Sequence, residues 1–115
     1  MASTNPNSDR IVKAITAVHD QFEDNWDDLY AKCTSDDQRK HLADLRSAAS
    51  DAFWKVQAAE LLADNNIISS MIDGLSDATK KVQDALDSLV KIDDYIKTAD
   101  EAVKLATSLA KLAAG

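Results

Sequence analysis

Apolar residues recur at steps of three and four along nearly the whole chain, most regularly in its last third. There Leu75, Ala78, Val82, Ala85, Leu89, Ile92, Ile96, Ala99, Val103, Ala106, Ala110 and Ala113 occupy twelve successive seam positions, and none of them is polar. Steps of three and four hold side chains on one face of a helix with 3.6 residues per turn, whereas a half-buried strand needs strict alternation. The seam therefore dictates a helix with one face buried against other helices. Two earlier stripes obey the same rule. Ile11, Ile15, Val18, Phe22, Trp26, Leu29 and Cys33 make the first; Leu42, Leu45, Ala49, Ala52, Val56, Ala59 and Ala63, with Phe53 beside them, make the second. Two Gly and one Pro in 115 residues leave too little turn-forming material for a sandwich or barrel. The fold class is all-α.

Punctuation divides the stripes into elements. Residues 1–8 are small and polar with one Pro, the composition of a frayed terminus, so the bundle is expected over 9–115 as one domain. Ser35 followed by Gln38 has the spacing of a capping box and predicts a second helix starting near Asp36. Its end can be read at Asp64, Asn65 and Asn66, or further on at Gly74. Gly74 has the chemistry of a tight helix-helix turn: it can take the left-handed position after a helix, Leu75 can supply the apolar contact, and Ser76 can cap the next helix. The sequence thus favours two matched helices, 36–72 and 77–113, each about 55 Å long, as an antiparallel hairpin. A shorter helix over 9–33 covers part of it. Thr98 and Glu101 have capping-box spacing too, but the seam runs through without a slip, so the last helix is expected to be continuous. The expectation is an antiparallel bundle of three long helices, with a four-helix bundle broken at 64–66 as the alternative. If Gly74 is the turn, Gly74→Ala should destabilise the protein.

Charge and motif content narrow the function by exclusion. The formal net charge of −7, from 20 acidic and 13 basic side chains, has the wrong sign for a protein that binds by neutralising phosphates, so nucleic acid is not an expected partner. A phosphate-cradling loop needs several glycines at fixed spacing, and the one internal Gly, Gly74, stands alone. The single thiol, Cys33, cannot form an internal disulfide and lies on the first apolar stripe, where it reads as a packing residue. No leader peptide or membrane-spanning run is visible in these residues. A cytoplasmic setting is the default expectation, with secretion by another route left open.

The densest charge cluster is Asp20, Glu23, Asp24, Asp27 and Asp28, preceded by His19. Ligand pairs four residues apart can face one way on a helix, yet these acids centre opposite the apolar stripe and point to solvent. They read as a solvated acidic face, and no metal or other cofactor is expected. His41 with Asp37 or Asp44 has the form of a base and its orienting partner, but no positioned nucleophile accompanies it, so an enzyme is not expected.

The residues that suggest a role are apolar and lie off the seams. Trp54, Ala58, Leu61 and Ile68, widened by Leu62, form a second stripe on helix 2. On a three-helix hairpin the far tip lacks cover, which leaves Trp54, Leu61, Leu62, Ile68, Met71, Ile72, Leu75 and Leu86 as candidate interface residues. The expected function is a non-enzymatic helical interaction or assembly module, homodimeric through that tip or bound there to a helical protein partner. The alternative is a lipid-engaging amphipathic bundle. The acid-free segment 102–115, with Lys104 and Lys111 one heptad apart, resembles a membrane-surface helix in isolation, although its apolar face also continues the seam. No small-molecule substrate is indicated.

Overall fold

A computed structural model describes residues 6–58, 66–88 and 91–113, with side chains described from Asp9 onward, through Gln57, and from Ile67 in the second stretch. All four elements within them are helices: α1 (Pro6–Lys32), α2 (Asp36–Ala58), α3 (Asn66–Asp87) and α4 (Ile92–Ala113). Four helices are thus described, the number in the alternative, although Asp64 and Asn65 of its expected break lie outside the described residues and Asn66 is helical; the three-helix expectation is corrected in two places. The hairpin of two long helices does not form, because α2 is described only to Ala58 and a new helix starts at Asn66. The last helix is not continuous either, because α3 ends at Asp87 and α4 starts at Ile92.

Gly74, read from sequence as the point of reversal, lies inside α3, and the chain passes through Ser76 and Asp77 without leaving the helix. The balance of energies accounts for this. A helical Gly costs about 1 kcal/mol relative to Ala, whereas burying one large aliphatic side chain contributes about 2 kcal/mol. Folding α3 back against the bundle buries three of them, Ile68, Ile72 and Leu75. A tip at Gly74 would have exposed all three.

Local signals elsewhere behave as their chemistry requires. The backbone N–H of Gln38 donates to Ser35 Oγ at 3.2 Å, and Gln38 Oε1 accepts from the Thr34 backbone N–H at 2.7 Å and from Thr34 Oγ1 at 3.1 Å. The reciprocal cap therefore exists, with its return bond one residue earlier than the ideal box. At the other end of the chain, α1 starts at Pro6, inside the stretch read as a frayed terminus. Proline suits a first helical turn because its fixed φ is already helical and its missing N–H would have had no partner. The break at 88–91 carries neither Gly nor Pro. Its marks are Ser88 before it and the acids Asp93 and Asp94 in the first turn of α4, where the helix dipole favours negative charge.

Helix directions follow from pairings at known heights. Arg46 meets Glu23, so α1 and α2 run antiparallel; Arg10 meets Asp73 and Gln21 meets Gln83, so α1 and α3 run parallel. Gln38 meets Asp93, so α2 and α4 run parallel as well. The chain goes up, down, up, down. Helices α1 and α4 each touch all three others, while α2 and α3 do not touch among the described residues. The cross-section is a rhombus whose short diagonal is α1–α4. Small side chains on α4 make that diagonal possible, since Ala99, Ala102, Ala106, Ala110 and Ala113 are all buried. The core is continuous, from Ile11, Ile15, Phe22 and Leu29 on α1 through Leu42 and Val56 on α2 to Leu109 on α4. No helix of the described residues is long and apolar enough to cross a membrane.

Because Gly74 is helical and a Cβ built on it meets nothing within 4 Å, Gly74→Ala is expected to raise stability by about 0.5–1 kcal/mol. Urea unfolding checks the sign, and a lowered midpoint would show that the chain reverses at Gly74 after all.

Candidate functional site

One acid of the α1 face, Glu23, is held by α2. Arg46 grips Glu23 with two parallel hydrogen bonds, Nε to Oε1 and Nη2 to Oε2, both 3.0 Å. These bonds, with the Arg46 charge behind them, hold the Glu23 carboxyl below its ordinary range despite some opposing desolvation. The same guanidinium lies 4.5 Å from the centroid of the Trp26 ring. One turn on, His19 stacks on Phe53 at 4.3 Å and hydrogen-bonds Asp20 through Nδ1 at 3.4 Å. Among the described residues no three His, Cys, Asp or Glu side chains converge as metal ligands would.

This seam of alternating cations and rings is what the sequence reading missed. Arg39, Arg46 and Phe53 are spaced by seven on α2 and meet Tyr30, Trp26 and His19 on the antiparallel α1. A seven-residue interval of Arg, Arg and Phe beside an apolar stripe was the available signal. The long stems and flat faces of these residues cover the edge of the core while their charges stay wet.

Other candidates resolve into packing. His41 meets neither Asp37 nor Asp44; its Nε2 lies 3.7 Å from Asp100 Oδ1 on α4, and Lys104 holds the other oxygen at 2.9 Å. Cys33 is buried, its Sγ 3.4 Å from the Leu29 carbonyl oxygen, and burial pushes its thiol pKa up, away from the reactive thiolate. Tyr95 on α4 is also buried, and its hydroxyl has no hydrogen-bond partner among the described residues. Burial pushes its pKa up to about 12.

The expected interface residues divide. Ile68, Ile72 and Leu75 belong to the core of this chain and are removed from the candidate interface, because α3 turns them against α1 and α4. Met71 and Leu86 are half-buried against that core. Trp54 is 64% exposed, while Leu61 and Leu62 lie outside the described residues. Two further apolar residues reach the surface. Ile67 is 64% exposed and Leu112 44% exposed. Between α3 and α4 runs an open groove of about 440 Å³ lined by Ile67, Ser70, Met71, Gly74 and Leu105. Leu112 follows Leu105 by one heptad and extends the same side of α4. The missing side chain of Gly74 deepens the groove.

No family model matches this chain, and neither the curated proteins nor the solved structures contain one similar to it.

The phenol of Tyr95 has a testable consequence. Its folded pKa of about 12 stands above the ordinary 10, so the unfolded chain ionises it first. Stability held below pH 10 is therefore lost as pH rises from 10 to 12. In Tyr95→Phe that part of the alkaline loss should vanish, and at pH 7 the variant should match the parent or exceed it by about 1 kcal/mol, because a partnerless hydroxyl is removed. Urea unfolding at pH 7 and pH 11 measures both effects. A loss above about 1 kcal/mol at pH 7 would mean that the hydroxyl has a partner.

Proposed function

We propose that this chain is a non-enzymatic helical interaction module that receives a short amphipathic helix of a partner protein in the α3–α4 groove. The observation that carries the reading is the groove itself: an apolar channel between two antiparallel helices, with Met71 and Leu105 half-buried in its floor and Ile67 at its rim. A channel of this form matches the ridge of side chains that a helix presents at i, i+3, i+4 and i+7. Met71 suits such a floor because its unbranched thioether side chain adapts to different ridges.

The size of the patch selects the occupant. Ile67, Met71, Leu105 and Leu112 make a small exposed apolar patch, well short of the roughly 800 Å² that each partner buries in a stable dimer. A single helix is a better fit than a second copy of the whole bundle. Chemistry-bearing side chains support the same reading from the other direction, since Glu23, Arg46, His41 and Asp100 are engaged in surface ion pairs rather than aimed into a cavity.

The test uses purified protein and a labelled 16-residue amphipathic model helix with Leu at i, i+3, i+4 and i+7, followed by fluorescence anisotropy, with phosphatidylglycerol vesicles as a second arm. Saturable peptide binding in the micromolar range, weakened at least tenfold in Ile67→Asp with Leu105→Asp but unchanged in Asp36→Lys, is the expected result. Both substituted positions are at least partly exposed, so helicity by circular dichroism should hold in the variant. Absence of peptide binding overturns the reading, and vesicle binding sensitive to the same substitutions would replace it with the lipid-engaging alternative.

A further inference from the structure

We infer that a second copy of this chain packs antiparallel against the α1–α3 face, making the protein a two-fold dimer held by complementary charge. This surface is distinct from the α3–α4 groove, and the inference extends the interaction-module reading to self-assembly.

The face is a long groove of about 540 Å³ between two parallel helices. Its centre is made of small side chains, Ala14 and Ala17 on α1 with Ser76 and Thr79 on α3, so another backbone can come close. Two of its lysines stand lower than two aspartates on its continuation. Lys13, with the Arg10–Asp73 pair below it, lines the end where α1 and α3 begin, and Lys80 lies higher, near the middle of the face. On the continuation of the same two helical faces, towards the end where α1 and α3 finish, stand Asp28 and Asp87. All four residues are exposed, and none forms an ion pair among the described residues; Asp87 accepts only a hydrogen bond from Gln83 Nε2, at 2.9 Å.

A two-fold axis perpendicular to the helices joins these charges. The Gln21–Gln83 hydrogen bond, 2.6 Å long, marks a common height on α1 and α3. Lys13 stands about 12 Å below that height and Asp28 about 10 Å above it; Lys80 stands about 4 Å below and Asp87 about 6 Å above. An axis through the glutamine pair therefore sets Lys13 opposite the partner's Asp28, and Lys80 opposite the partner's Asp87, each pair matched in height to about 2 Å. Each contact occurs twice. A footprint two helices wide and about 30 Å long covers roughly 600 Å² on each copy, which brings the pair past the roughly 1,000 Å² expected of a specific interface.

The experiment is charge reversal on the full chain, read by sedimentation equilibrium at 50, 150 and 500 mM NaCl. The parent should be a dimer at 50 mM salt, with a dissociation constant at least tenfold weaker at 500 mM. Lys13→Glu with Lys80→Glu should be monomeric, as should Asp28→Lys with Asp87→Lys, and an equimolar mixture of the two variants should regain dimer mass. The two variants carry net charges of −11 and −3 against the parent's −7, so bulk attraction between opposite charges does not explain recovery. Circular dichroism verifies that each remains helical. Asp36→Lys with Asp37→Lys, which changes net charge equally on another face, should not pair with the Lys13/Lys80 variant. A parent that stays monomeric at 50 mM salt and 0.5 mM protein overturns the inference, as do reversal variants that dimerise like the parent. Failure of this dimer is separable from failure of the proposed function: Ile67→Asp with Leu105→Asp should lose the model helix yet keep the dimer, and loss of the dimer in that variant would also overturn the inference.

Discussion

Five of the nine buried residues of α4 are alanine, and that narrowness lets its backbone lie against α1, α2 and α3 at once. A helix faced with leucine at those positions would hold its neighbours about 2 Å further off and open the rhombus toward a square. With α1 and α4 drawn together, α2 and α3 are pushed to opposite corners and lose contact. The stability of the whole then rests on one aliphatic core with no buried charged or polar residue among those described apart from the Tyr95 hydroxyl and the inner edge of Gln21. Such a core binds without directional constraints, so register must come from elsewhere. Pairings at the rim supply it: Arg46 with Glu23 between α1 and α2, Gln38 with Asp93 between α2 and α4, Gln21 with Gln83 between α1 and α3.

The rhombus also explains why the two grooves lie on α3. Helix α2 presents the Arg39, Arg46 and Phe53 seam to α1, and the stems and rings of that seam fill its flank. Helix α3 carries no arginine or aromatic residue, and at its edges stand Gly74, Ser70, Ser76 and Thr79. Long amphipathic side chains seal one side of the bundle; short ones leave the other side open. The proposed partner helix and the proposed second copy therefore both address α3, on different faces.

Core positions were legible in the sequence because the three-and-four period is a local property, and helical geometry alone converts it into a face. Every residue of the first apolar stripe, from Ile11 to Cys33, is buried, apart from the half-buried Trp26. The breaks were not legible, for two opposite reasons. Gly74, Leu75 and Ser76 have all the local chemistry of a turn, but the burial of Ile68, Ile72 and Leu75 outweighed it, and nothing within those few residues encodes that sum. Residues 88–91 have almost no turn chemistry, and the seam positions Leu89 and Ile92 span them without a slip. The same blindness shaped the candidate site. Once the hairpin was drawn too long, three core residues looked like an interface, while Leu112, which does reach the surface, was given no role.

Charge gives the molecule a direction. The half of the bundle containing the ends of α1 and α3 and the starts of α2 and α4 holds Asp24, Asp27, Asp28, Asp84 and Asp93, whereas Lys13, Lys55, Lys104 and Lys111 lie toward the other half. Two such molecules side by side repel least when antiparallel, because each acidic half then faces the other's nearly neutral half. That preference acts along the whole 51 Å axis before any contact forms, so it orients the encounter as well as the complex. An antiparallel pair then carries its two α3–α4 grooves toward opposite poles, each still open to solvent. The proposed dimer would hold two helices apart at a fixed spacing, its charged face fixing the geometry and its apolar grooves selecting what is held.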